Sequence, residues 1–242
     1  MSRYQDKLAE REFFDQISQD DDYDVFDRPT KRHFLRMFAE AVGTGAANVV
    51  IDLGCGTGAF TSTLAGRAAS VVGVDISFGS LQHAVRCRSA GATFICADIE
   101  ELPFRRCSAD VVVFSGVLHH FPELRRCAAE AYHILKPGGV IFSFDPHRYH
   151  PGMWAYRDPA SPISTTAGRT RNERLLTRRE LLEVFGEAGF AVSVKAVSPV
   201  TYRHVAKGKW LLPVYNTVER LFGLSPLASW FGAFLVMVAR KL

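Results

Sequence analysis

The stretch Val49-Val50-Ile51-Asp52-Leu53-Gly54-Cys55-Gly56-Thr57-Gly58 constrains the fold of this chain more than any other. The apolar run from Ala47 to Leu53, broken by Asn48 and Asp52, predicts a short strand buried on both faces, as parallel sheets require. Glycines at three alternate positions predict a tight turn whose backbone approaches a ligand where a Cβ would collide. A helix expected to start near Ala59 would then aim its free N–H groups at that ligand. Asp52, at the strand's end, needs a hydrogen-bond partner if it is buried. The pattern is that of a nucleotide-type cofactor loop. Gly54 to Ala59 also satisfies the loose dinucleotide fingerprint G-x-G-x-x-G/A, so the loop alone leaves the cofactor open.

Apolar strands alternate with helical patterns beyond the loop. Strands are predicted over Ser70–Asp75, Ala92–Asp98, Ala109–Ser115 and Gly139–Asp145, with helices over about Ser77–Ser89 and Leu124–Leu135. Such βαβ repetition implies right-handed crossovers and a doubly wound parallel sheet that binds ligands at the carboxyl ends of its strands. Thr177 and Glu180 predict a capped helix over Thr177–Ala188, stopped by Gly189. Strands over Phe190–Val197 and Phe231–Ala239 follow. With 242 residues, 48% of them hydrophobic, a sizeable α/β core is expected, and the formal charge of +4 is too mild to point to nucleic acid. Five scattered cysteines without a C-x-x-C pair favour a reducing cytoplasm over a disulfide framework or zinc site. The N-terminus shows no secretory pattern, and the longest apolar run, Pro226 to Ala239, is too short to span a bilayer.

Acids narrow the cofactor. Asp52, Asp75 and Asp98 each end a predicted strand on the ligand side of the sheet. Asp75 is placed to accept hydrogen bonds from ribose hydroxyls, and Asp98-Ile99 to read the amino edge of an adenine. Cys55 in the loop, Ile76 after Asp75, and Ser115 at the end of the fourth strand complete the expected cofactor contacts. No Lys or Ser/Thr stands where a phosphate-binding loop needs one.

Ile51–Gly58, Val74-Asp75-Ile76-Ser77, Ala97–Phe104 and Leu135-Lys136-Pro137-Gly138-Gly139 occur in order and with characteristic spacing. Over Asn48 to Asp145, and more weakly beyond, the chain resembles the class I S-adenosylmethionine-dependent methyltransferases. The resemblance is to the type 11-like group with quinone-biosynthetic and natural-product enzymes. It implies a Rossmann-like α/β fold with seven strands ordered 3-2-1-4-5-7-6, strand 7 antiparallel. S-adenosylmethionine is the implied cofactor, with Gly54, Gly56 and Gly58 near its methionine moiety, Asp75 at the ribose and Asp98 at the adenine. Residues 1–46 are then an N-terminal helical cap, folded over the cofactor through Phe14 or Tyr23. Residues 47–242 are the methyltransferase domain, with its cofactor core at 47–145 and its acceptor side and last strands at 146–242.

Methyl transfer from a sulfonium needs above all a held nucleophile, and a base only where the acceptor must lose a proton. His119 and His120, after the fourth strand, are candidates for that base, as is His147 after the fifth; the alternative is that one of the pair caps or packs the next helix. The loop from Pro146 to Tyr156 is dense in aromatic and imidazole groups, and Tyr149, His150 and Trp154 are its candidates for acceptor recognition. No N/D-P-P-Y/F motif marks a nucleobase acceptor. The basic run from Arg169 to Arg179 reads first as a solvated helix entry. The apolar stretch around Trp210 and Leu221, near Lys207 and Lys209, reads first as packing against the sheet, with a membrane-surface helix as the weaker alternative. The expected function is methyl transfer to a small-molecule or lipid-like acceptor, oxygen ahead of carbon. An NAD(P)-dependent oxidoreductase and a non-catalytic S-adenosylmethionine-binding scaffold remain as alternatives.

Overall fold

A computed structural model describes residues 5–18, 24–43, 47–88, 91–166, 168–203 and 209–242. Its strands are β1 Ala47–Leu53, β2 Ala68–Asp75, β3 Thr93–Cys96, β4 Ala109–Ser115, β5 Leu135–Pro146, β6 Phe190–Val197 and β7 Phe234–Lys241. They form one seven-stranded sheet in the order β3-β2-β1-β4-β5-β7-β6. The first five strands pair in parallel, and β7 runs antiparallel to both β5 and β6. The expected class and strand order are therefore observed. Alternation along β4 explains its burial on both faces: Val112 and Phe114 enter one core cluster, Val111 and Val113 the other.

The helices among the described residues are α1 Lys7–Ile17, α2 Arg28–Val42, α3 Thr61–Leu64, α4 Phe78–Arg88, α5 Arg125–Ile134, α6 Pro151–Arg157, α7 Arg178–Glu187, α8 Leu212–Phe222 and α9 Ala228–Phe231. Helices α5 and α7 cover one sheet face through Cys127, Ile134, Leu181 and Phe185. On the other face α2 buries Phe34 and Phe38, four residues apart on one side of the helix. Asp27 caps α2 by accepting the Thr30 N–H at 2.9 Å, with Pro29 in its first turn.

Several elements differ from the sequence-based expectation. The helix after the glycine loop is a single turn, because Gly66 at φ +83° ends it and β2 begins at Ala68. Thr177 caps α7 as expected, yet the Glu180 carboxylate binds Arg174 instead of closing the capping box. Strand β7 starts at Phe234, since Phe231 belongs to α9. The segment expected to be a loop after β5 contains α6.

Candidate functional site

A cavity of about 250 Å³ lies at the carboxyl ends of β1 to β5, where the strand order reverses between β1 and β4. Gly54, Cys55, Gly56 and Thr57 line it after β1, Asp75 and Ile76 after β2, Asp98 and Ile99 after β3, and Ser115, Gly116 and Val117 after β4. The loop is tied to the neighbouring strand by Gly54 and Cys55 N–H groups that both donate to the Val74 carbonyl, at 2.8 and 3.0 Å. Gly54 has φ +71°, and a Cβ there would come within 2.4 Å of Val117, so no other residue fits.

The three acids do different things. Asp75 Oδ2 accepts the Gly56 N–H at 2.8 Å and Oδ1 the Ser77 N–H at 2.9 Å, which fixes the carboxylate at the cavity wall. Burial pushes its pKa up, and those N–H groups oppose the shift. Asp98 also lines the cavity; Oδ1 accepts the Glu100 N–H at 2.9 Å, and Oδ2 pairs with Lys7 of α1. Asp52, by contrast, is fully buried behind the loop and is not part of the lining. It accepts from the hydroxyls of Thr61 (2.6 Å) and Ser115, and burial pushes its pKa up to about 7. Its expected role as a cofactor contact is corrected to a support of the loop and of Ser115. Gly58 is likewise outside the lining; a Cβ there would press on Phe94 and Ala84 at 3.1–3.2 Å, so its part is packing.

Helix α1 roofs this half of the cavity with Glu10, Phe13 and Phe14, and Gln5 just before it joins them. Tyr23, the other expected lid residue, lies outside the described residues. Polar contacts of three of its side chains hold the helix down. Lys7 pairs with Asp98 and, at 2.8 Å, with Glu100. Glu10 meets His120 Nδ1 at 3.2 Å and accepts from Asn172 Nδ2 at 2.7 Å. Asp15 Oδ1 accepts from the Ser77 hydroxyl at 2.7 Å and the Gly79 N–H at 2.8 Å.

His119 and His120 sit on one tight turn after β4 with ring centroids 4.2 Å apart, both buried and both lining the cavity. Their environments separate their charges. Burial, then the positive charges of His120, Arg157 and Arg174, pushes the His119 pKa well below its ordinary value. His119 Nδ1 lies 2.9 Å from Asp145 Oδ1, which also accepts the His119 backbone N–H at 3.2 Å, and burial pushes the Asp145 carboxyl well up. In the tautomer with Nδ1–H, Nε2 is the ring's acceptor. Burial alone would lower the His120 pKa, but the Glu10 hydrogen bond and the charges of Glu173 and Glu10 raise it. Glu10 is correspondingly lowered: its burial penalty is overcome by the His120, Thr170 and Asn172 contacts.

The rest of the cavity is aromatic, walled by Phe26, Phe34, Phe60, Phe144, Tyr202 and Phe234. Phe34 stacks on Phe144 with centroids 4.5 Å apart, and Phe26 on Tyr202 at 5.6 Å. Two ion pairs, Lys31–Asp24 and Arg157–Glu173, also face this end. Sequence reasoning missed this wall because its six residues come from six separate segments. The Phe34/Phe38 spacing behind the Asp27-Arg28-Pro29 cap was the available signal for α2.

The expected acceptor contacts after β5 are corrected. His147 is buried with Nδ1 3.0 Å from the Gly232 carbonyl, and burial lowers its pKa. His150 caps α6 by accepting the Met153 N–H at 3.1 Å, while its Nε2 meets Glu219 at 3.1 Å. Tyr149 and Trp154 are exposed. None of the four lines the cavity; Pro146 and Arg157 do. Arg157 follows buried Met153 by four residues, on the inward face of α6, and Trp154 does not share that face. The basic run is largely paired internally: Arg174 forks onto Glu180 and Arg179 pairs with Glu183.

The Methyltransferase domain family matches residues 51–143. An uncharacterized methyltransferase of Synechocystis sp. is 30% identical over 164 residues, 67% of this chain and 76% of that protein. The chain belongs to the class I S-adenosylmethionine-dependent methyltransferases. A demethylmenaquinone methyltransferase of Renibacterium salmoninarum is 31% identical over 137 residues, 56% of this chain and 57% of that enzyme. The chain thus spans about half the length of that relative and of others. A putative S-adenosylmethionine-dependent methyltransferase structure from Listeria monocytogenes shares the fold, with TM-score 0.62, 19% identity, and coverage of 89% of this chain and 100% of that one. S-adenosylmethionine fits the donor set better than a dinucleotide. Asp75 already occupies the Gly56 N–H, which a pyrophosphate would need, and the helix behind the loop is one turn long.

Proposed function

We propose that this protein transfers the methyl group of S-adenosylmethionine to an apolar small-molecule or lipid-like acceptor, at oxygen in preference to carbon. The observation that carries the reading is that the cofactor loop, His119 and the aromatic wall line one and the same cavity. The cofactor supplies an activated methyl group. This chain's residues hold it, exclude water and position the nucleophile. Asp75 and Asp98 are the proposed partners of ribose and adenine, and α1 closes over them.

His119 is the proposed base. Burial favours its neutral form, and in the proposed tautomer Nδ1–H donates to Asp145. Nε2 can therefore take a proton from an acceptor hydroxyl. His120 is less suited to that work, because its contact with Glu10 and the charge of Glu173 favour its charged form. The phenylalanine wall supports an apolar acceptor, and the Renibacterium relative is named for a quinone-type one.

A panel of apolar acceptors bearing free hydroxyls, assayed for S-adenosylhomocysteine release by the wild type and by His119→Ala, tests the reading. Turnover that depends on His119 supports it. Methylation of amines but of no hydroxylated acceptor overturns it.

A further inference from the structure

Helix α8 is anchored by one face only. Its buried Glu219 meets His150 Nε2 at 3.1 Å and accepts from the Ser198 hydroxyl at 2.6 Å and the Val200 N–H at 3.0 Å. Asn216 exchanges hydrogen bonds of 3.0 and 2.8 Å with the backbone of Tyr202, and the Tyr215 ring sits 5.7 Å from the Tyr202 ring. The opposite face carries Leu211, Val214, Val218 and Leu221, spaced three, four and three residues apart, and all four are exposed. Exposed apolar side chains continue beyond α8, where Leu224 in the turn is 84% and Trp230 in α9 67% exposed, and Trp210 before α8 is 79% exposed. The expected packing of this stretch against the sheet is therefore corrected. A run of exposed apolar side chains this dense marks a contact surface.

Charge decides the occupant. Over residues 203–231 the charged side chains are Arg203, Lys207, Lys209, Glu219 and Arg220, and the one acid is turned into the core. Lys209 is exposed, and Arg220 is largely so, 3.9 Å from Asp27. A second copy docked on this face through a two-fold axis would set basic residues against basic residues. An anionic surface meets them favourably. Exposed Trp210, Leu221 and Trp230 together with Lys209 and Arg220 suit the headgroup boundary of an anionic bilayer. No described helix is long and apolar enough to cross a membrane, so such a contact lies on the surface.

We propose that the α8–α9 face docks on an anionic lipid bilayer. Tyr202, which α8 holds on its inner side, lines the cavity, so the lipid contact lies one helix away from the cavity's aromatic end.

The test is co-sedimentation of the full chain with phosphatidylcholine vesicles and with vesicles containing phosphatidylglycerol. Binding is expected to the anionic vesicles and to be at least about tenfold weaker to the neutral ones, with a blue shift of tryptophan emission on binding. Trp210→Ser/Leu221→Ser/Trp230→Ser should abolish binding, and Lys209→Glu/Arg220→Glu should abolish the anionic preference. These residues lie outside the cavity, so S-adenosylhomocysteine affinity by calorimetry should be unchanged in both variants. Should the apolar variant fail that control, the charge variant decides. Three results would overturn the proposal: no vesicle binding, binding indifferent to both variants, or light scattering that shows a dimer dissolved by the apolar variant. Vesicle binding needs no acceptor, so its failure is distinct from failure of the proposed methyl transfer.

Discussion

Asp75 accepts the Gly56 and Ser77 N–H groups through different oxygens, and each oxygen keeps a lone pair for a ligand hydroxyl. Replacing it by alanine removes both the proposed ribose acceptor and the clamp on the loop. Asp75→Ala should weaken S-adenosylhomocysteine binding by about 1.5–3 kcal/mol, roughly ten- to over a hundredfold in Kd, as calorimetry would read. Unchanged affinity would remove Asp75 from the site. His119 gives a sharper prediction. His119→Ala should lower turnover by about 10²–10⁴-fold with cofactor affinity intact. Its pKa is pushed well below 6.5, so His119 is already neutral at pH 6.5. The wild-type pH–rate profile should therefore be flat from about pH 6.5 to 8, and an ascending limb centred near 6.5 would exclude His119 as the base. At this scale the sequence was readable where a residue's role depends on its own strand. Asp75 and Asp98 follow their strands directly and reach the cavity. His147 and His150 also follow a strand, but their rings are claimed by a carbonyl of Gly232 and by the first turn of α6. No local pattern reveals such competition.

Leu8, Phe14 and Ile17 of helix α1 follow helical spacing only loosely, and the polar contacts that hold it to the molecule are long-range. Asp15 reaches Ser77 and Gly79, and Glu10 reaches His120 and Asn172. Patterns of apolar spacing cannot register contacts of this kind, which is why the helix is better explained by the structure than by its periodicity. Neither Asp15 nor the Ser77 it holds lines the cavity, so Asp15→Ala tests the roof without touching the ligand contacts. Losing hydrogen bonds to a charged group should cost about 1–2 kcal/mol here, a five- to thirtyfold rise in the Kd for S-adenosylhomocysteine. The loss should come chiefly as faster dissociation in stopped-flow measurements, since a loosened roof opens more often. Equal dissociation rates would mean that α1 is a static wall.

Over the whole molecule, the parallel strands were legible because a buried strand is an apolar run bounded by turn chemistry, whereas their order came only from what the resemblance to the methyltransferases implies. The aromatic end of the cavity was not legible, since it is assembled by tertiary packing of α2, β5, β7 and the segments that carry Phe26, Phe60 and Tyr202. The same sheet buries Asp52 at its centre, and that has a consequence for global stability. Burial raises the Asp52 pKa to about 7 from an ordinary value of 3.8; the Thr61 and Ser115 hydroxyls oppose the shift, and the charge of Asp75 adds to it. Between these values the folded state binds the proton and the unfolded state does not. The stability Asp52 contributes is thus fully present below about pH 4 and is lost as pH rises through about 7. Other buried groups titrate too, so the difference between wild type and Asp52→Asn isolates this one. Asparagine keeps the shape and a hydrogen-bonding group beside Ser115, and it cannot ionise. The melting temperature of Asp52→Asn relative to wild type should therefore rise from pH 4.5 to pH 8 and level off above about 7. A gap that stays constant with pH would mean that Asp52 ionises in the folded protein as freely as in water, which would require solvent or a cation beside it.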